Sequence, residues 1–226
     1  DSGVAAEWQE CLLKSGFLRD CDPQLKLIET LRLEDSVFPL LELHLARLRQ
    51  SAAWFAFPLD AGRLADLLDS LPRCGLWRVR LTLDKTGEML VEHFALTNEA
   101  DVPRLATLAD AHIAAVDPLR RHKTTVRHLY DQALHALPAD SPVFDVVFLN
   151  ERGEVAEGAR STVFVERDGI LLTPPLSSGA LPGVLRASLL ASGQARESVL
   201  RPVDLGDGFF LGNALRGLIR VSLSAD

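Results

Sequence analysis

Between Val143 and Pro175 the chain carries three short apolar runs, VFDVVFLN, TVFVERD and GILLTPP, separated by glycine-containing turns at Asn150–Gly153 and Asp168–Gly169. Runs of this length, rich in Val, Ile and Phe and bounded by turn formers, are strands rather than helices. Three in succession commit this half of the chain to a β-sheet. FFLGN and GLIRVSL close the sheet, and RLATLAD places a strand ahead of it. Pro118 to Lys123 is expected as a loop, Thr124 to Leu137 as a helix, and Pro182-Gly183 opens a helix from Val184 to Ala191.

The first half has a different pattern. Alternation from Leu25 to Leu33 predicts a strand, Glu34-Asp35-Ser36 a turn, and the 3.6-residue spacing of Leu40 to Phe55 an amphipathic helix. A second helix is expected from Asp60 to Leu71. WRVRLTLD and EMLVEHFAL, joined through Lys85-Thr86-Gly87, form a hairpin. Ahead of these, Trp8, Leu12, Leu13 and Phe17 space a short helix over Glu7–Phe17. The polar stretch Thr97–Asp101 divides the chain into a junction segment (1–17), a small α/β domain (18–99) and a larger domain (100–226).

Composition narrows the function. A length of 226 residues suffices for a large buried core. No run of about 18 apolar residues offers a membrane span. A net charge of −7 disfavours nucleic acid, whose phosphates are gripped by clustered Lys and Arg, so a small molecule is the expected partner. Three cysteines, Cys11, Cys21 and Cys74, with neither metal-ligand spacing nor an even count, suit a reducing compartment, and the cytoplasm is expected. The chain opens without a signal-peptide pattern and without methionine, as a C-terminal half excised from a longer polypeptide would.

The scarcest charged residue points to chemistry. Of 24 Lys and Arg residues only Lys14, Lys26, Lys85 and Lys123 are lysine. Lys123 stands in RRHKTTVRHLYD beside Arg120, Arg121, His122 and Arg127, and neighbouring cations make an amine a better nucleophile toward a carbonyl. By itself this segment could equally be a basic loop at a helix start. His122, His128 and His135 could line one helix side, but no carboxylate completes a metal site, and none is expected. GDGFFLG has the wrong glycine spacing for a dinucleotide loop.

Three strings taken in order, HKTTVRHLYD, NERGEVAEGARSTVFVERDG and TPPLSSGALPGVLR, resemble the signature of class IV pyridoxal-phosphate (PLP) enzymes. That family includes branched-chain and D-amino-acid aminotransferases and 4-amino-4-deoxychorismate lyases. The resemblance runs from about Leu27 to the C-terminus. It implies a two-domain α/β fold of the D-amino-acid aminotransferase type (PLP fold type IV), with a small N-terminal α/β sandwich and a larger C-terminal pseudo-barrel. It also implies pyridoxal 5′-phosphate as cofactor and a homodimer.

Position by position, the resemblance makes Lys123 the cofactor-bearing lysine and general acid–base, and Glu157 the carboxylate at the pyridine nitrogen. Arg47 becomes the phosphate-binding arginine, with Gly183, Val184 and Leu185 as the phosphate cup at a helix N-terminus. Asn213 and Ala214 are placed on the other side of the phosphate, and Thr30 presents a hydroxyl near the substrate. Two departures are visible: Thr162 stands where the family commonly has asparagine, and the glycine-rich GDG lead-in before ETLR is missing.

The wording of HKTT, EGARS and AAEWQECLLKSGFL resembles bifunctional chains in which a lyase follows component I of aminodeoxychorismate synthase. A fused or associated synthase is therefore an expected partner. The implied reaction converts 4-amino-4-deoxychorismate to 4-aminobenzoate and pyruvate in folate biosynthesis. A class IV aminotransferase acting on branched-chain or D-amino acids is the alternative.

Overall fold

The structure, a computed structural model, describes residues 24–97 and 104–224. The expected Glu7–Phe17 helix and most of the Thr97–Asp101 boundary lie outside the described residues. Two compact units emerge: the first runs to Thr97 and takes in Lys123–Val126, and the second holds the rest of the chain.

In the first unit β1 (Lys26–Glu34), β2 (Leu76–Asp84) and β3 (Met89–Ala95) form an antiparallel meander. Helices α1 (Leu41–Phe55) and α2 (Ala61–Asp69) follow β1. Strand alternation turns Leu27, Leu31 and Leu33 to one face, in register with Leu83, Val79 and Trp77 of β2, and all three leucines are buried, as are Leu48, Ala52 and Phe55 of α1. Helix α2 starts where Asp60 accepts from the amides of Gly62 at 2.9 Å and Arg63 at 3.0 Å, satisfying donors that a helix end otherwise leaves unpaired.

The second unit is an eight-stranded curled mixed sheet, ordered β6-β5-β4-β11-β10-β7-β8-β9. Its strands are β4 (Arg104–Leu108), β5 (Val143–Leu149), β6 (Val155–Gly158), β7 (Thr162–Arg167), β8 (Ile170–Thr173), β9 (Ala195–Glu197), β10 (Phe209–Asn213) and β11 (Gly217–Leu223). Strand β5 is buried at five consecutive positions, as a strand covered on both faces must be. Its Val146 and Phe148 lie under α3 (His128–His135), and Val147 joins a second cluster with Val163, Leu211 and Val221. Helix α4 (Val184–Ala191), with the bounds the sequence predicts, packs Leu185 and Leu189 near Phe164 and Phe210.

One expectation fails. The helix predicted over Thr124–Leu137 begins only at His128, and the Pro118–Lys123 loop contains a 3-10 turn, Pro118–Arg121. The intervening Lys123–Thr125 is extended and pairs with β1. Ile28 N donates to Lys123 O at 2.8 Å, Thr125 N to Lys26 O at 2.9 Å, and Lys26 N to Thr125 Oγ1 at 2.9 Å. Three consecutive β-branched residues, Thr124, Thr125 and Val126, lose side-chain freedom in a helix, and the open edge of β1 offers their amides partners.

Candidate active site

The pairing with β1 sets the position of Lys123. With Leu27 opposite Thr124 in an antiparallel bridge, Ile28 stands opposite Lys123, and directly opposed residues share a sheet face. Thr30, two residues beyond Ile28, lies on that same face. Lys123 and Thr30 are thus presented together, away from the face that α1 covers. His122, just before Lys123, is buried, and desolvation, followed by the charge of Arg121, lowers its pKa to about 4. It is neutral at pH 7, so of the expected neighbouring cations this one is absent.

On the opposite face of β1 sits Glu29, a carboxylate in the leucine layer, 2% exposed. Arg47 of α1 grips it with a fork, Nε to Oε1 at 2.9 Å and Nη2 to Oε2 at 2.6 Å, and His44 Nδ1 lies 2.7 Å from Oε2. Burial pushes the Glu29 carboxyl up, but Arg47 and His44 outweigh it and hold the group below the ordinary value. Arg47, expected from the sequence as a phosphate ligand, has its guanidinium plane set by Glu29.

In the second unit Glu157 lies in β6, a strand the sequence reading did not anticipate. It is 8% exposed. Its Oε2 accepts from Leu181 N at 2.8 Å and its Oε1 from the Tyr130 hydroxyl. Two residues after Leu181, Gly183 caps α4 without any side-chain hydrogen bond, and the first-turn amides of Val184 and Leu185 have no partner within the helix.

The cup segments meet through close approaches that need glycine. A Cβ on Gly183 would lie 2.8 Å from Thr162 Oγ1, and one on Gly212 would lie 2.9 Å from a Leu185 methyl. Thr162 and Gly212 are direct partners across β7 and β10. Thr162, at the position where asparagine is common, therefore packs its hydroxyl against Gly183. In the β10–β11 turn Asn213 Oδ1 accepts from Leu215 N at 3.1 Å and Arg216 N at 3.0 Å, and Asn213 Nδ2 donates to Arg160 O at 3.2 Å. Its side chain shapes the turn that carries Ala214.

The structure thus brings Glu157, Gly183–Leu185 and Asn213–Ala214 into one unit, and Lys123, Thr30 and Arg47 into the other. Among groups the sequence reading did not assign, Tyr130, Glu29 and His44 stand out. The one tyrosine of the chain, in RHLYD, and the His-x-x-Arg spacing of α1 were the available signals. This donor set suits PLP: a buried carboxylate for a protonated ring nitrogen, helix amides without a side-chain cap for a phosphate, and a lysine for an aldehyde.

Residues 26–223 match the amino-transferase class IV family, and the chain belongs to it. PLP is the cofactor of that family. A protein of Schizosaccharomyces pombe, provisionally named an aminodeoxychorismate lyase, is 28% identical over 176 residues, 76% of this chain and 75% of that one. The crystal structure of a provisionally named amino-acid aminotransferase from Mesorhizobium loti superposes with a TM-score of 0.82 at 38% identity, over 88% of this chain and all of that one. The PLP-bound form of a hypothetical aminotransferase from Mycobacterium tuberculosis gives 0.76 at 25% identity, over 92% and 84%. The protein is a class IV PLP enzyme acting on a small molecule. No helix among the described residues is long and apolar enough to cross a membrane.

Proposed function

We propose that this enzyme is a 4-amino-4-deoxychorismate lyase, releasing 4-aminobenzoate and pyruvate for folate biosynthesis. The observation that carries the reading is the shared face of Lys123 and Thr30 on the edge of β1, an amine able to move a proton beside a hydroxyl able to orient a substrate. The match to the Schizosaccharomyces pombe protein over three quarters of each chain supports it. In the cell it works as a cytoplasmic homodimer, on the product of an aminodeoxychorismate synthase fused or associated with it.

PLP, when bound, supplies an electron-poor ring that spreads the negative charge left when a proton leaves the amine-bearing carbon. Lys123 Nζ would hold the cofactor and, when not joined to it, would take the proton from C4 of the substrate. The C3–O bond then breaks, the ring becomes aromatic, and Lys123 Nζ returns a proton to the methylene of the departing enolpyruvate, giving pyruvate. Glu157 would hold the proton on the pyridine nitrogen, and its burial would strengthen that interaction. The Val184 and Leu185 amides and the Asn213–Ala214 turn would hold the phosphate, and Arg47 is the guanidinium assigned to it by the family resemblance. Thr30 Oγ1 orients the substrate.

The Mesorhizobium loti relative, at 38% identity, favours a second reading, amino-group transfer. Holoenzyme given 4-amino-4-deoxychorismate should form 4-aminobenzoate, and a Lys123→Ala variant should not. Lysine-dependent conversion of a branched-chain or D-amino acid to its oxo acid, without any 4-aminobenzoate, would establish the second reading instead.

A further inference from the structure

Behind Glu157 runs a chain of hydrogen bonds with one possible polarity. Arg120 Nη1 donates to the Tyr130 hydroxyl at 2.5 Å, and that hydroxyl donates to Glu157 Oε1. A guanidinium has no acceptor and a phenol has one proton, so Glu157 Oε1 must accept. Burial first, and then the charge of Glu157, push the Tyr130 phenol up from its ordinary value, so it keeps this proton. The ring is fixed on three sides: Phe148 meets it edge-on at 5.0 Å, and the guanidinium carbons of Arg120 and Arg127 each lie 5.6 Å from its centre. Arg120 is anchored in turn by Ala114 O at 3.1 Å, and Arg127 by Asp131 at 2.9 Å and Ala159 O at 3.0 Å.

We infer that Tyr130, backed by Arg120, is a positioning residue that sets the orientation and charge of Glu157 toward the ring nitrogen of the cofactor. The inference rests on the reading of Glu157 as the partner of that nitrogen. With Leu181 N on Oε2 and the Tyr130 hydroxyl on Oε1, the carboxylate plane is held at both oxygens. Arg120 lends positive charge through the phenol. Charge-assisted bonds in such a chain reinforce one another where water is excluded.

The test compares wild-type, Glu157→Gln, Tyr130→Phe and Arg120→Met holoenzymes by the absorbance of bound PLP across pH and by the dissociation constant of PLP. A proton on the ring nitrogen withdraws electrons from the group joined to Lys123, so losing it moves the midpoint of that absorbance change to higher pH. Glu157→Gln should show this shift most strongly. Tyr130→Phe, which keeps the ring against Phe148, should shift the midpoint the same way by less and weaken PLP binding about three- to tenfold, the equivalent of one net hydrogen bond. Arg120→Met should give a smaller shift of the same sign and decides the matter if Tyr130→Phe does not fold. A shift with Glu157→Gln but with neither of the others would overturn the role of Tyr130 alone. No shift with any variant would overturn the reading of Glu157 and the inference with it.

Discussion

Glu29 in the first unit and Glu157 in the second are both buried carboxylates served by arginine, and the manner differs. Glu29 receives Arg47 directly through a two-pronged ion pair, with His44 on the same oxygen. Glu157 receives Arg120 only through the Tyr130 hydroxyl. A direct pair satisfies a buried charge by committing it, and such a group holds structure together. A relayed pair stabilises the charge through a neutral hydroxyl rather than by a direct contact between charges. On the function proposed above, Glu29 builds the first unit and Glu157 serves the chemistry.

The largest expected effect is on stability. Arg47→Met leaves Glu29 buried with its main partner gone and should cost about 3–5 kcal/mol, read from the denaturant midpoint. Glu157→Gln keeps an acceptor for Leu181 N and should cost no more than about 1.5 kcal/mol. If the two variants reverse that order, the contrast is wrong.

Gly183→Ala comes next. Its new methyl would press on Thr162 Oγ1, and an overpacked site of this kind costs about 1–3 kcal/mol. PLP should bind more weakly because the first turn of α4 is displaced. Tight PLP binding in that variant would argue against the α4 amides as the phosphate site.

The smaller effects are in pH dependence. The Glu29 carboxyl is held below its ordinary 4.5, so its contribution is complete above that pH and is lost as pH falls through the lower folded value. A Glu29→Gln variant should show less acid destabilisation below pH 4.5 than the wild type. His122, with a folded value of about 4 against 6.5, is buried neutral. It contributes fully above pH 6.5, and that contribution declines as pH falls from 6.5 to about 4. Its ring resonances should titrate near 4 by NMR, and a midpoint near 6.5 would contradict its burial.

What could be read from the sequence depended on how local the cause was. Helix α4 announced itself through Pro182-Gly183 and an apolar run, and the strands around Asp168-Gly169 through turn chemistry. Lys123–Thr125 misled because the deciding partner, the edge of β1, lies about a hundred residues earlier, while the local pattern continued smoothly into α3. The strand that carries Glu157 went unread because β6 is only four residues long. Family resemblance singled out Glu157 and Lys123, but neither the fork from Arg47 to Glu29 nor the Tyr130 relay follows from spacing. Both depend on how helices seat on sheets.

The most direct test of the proposed reaction is the stoichiometry of products from PLP-loaded enzyme given 4-amino-4-deoxychorismate with no oxo-acid acceptor present. One pyruvate is expected for each 4-aminobenzoate, through many turnovers. Failure of pyruvate to appear in step, or arrest after a single turnover until an oxo acid is added, would contradict that reaction.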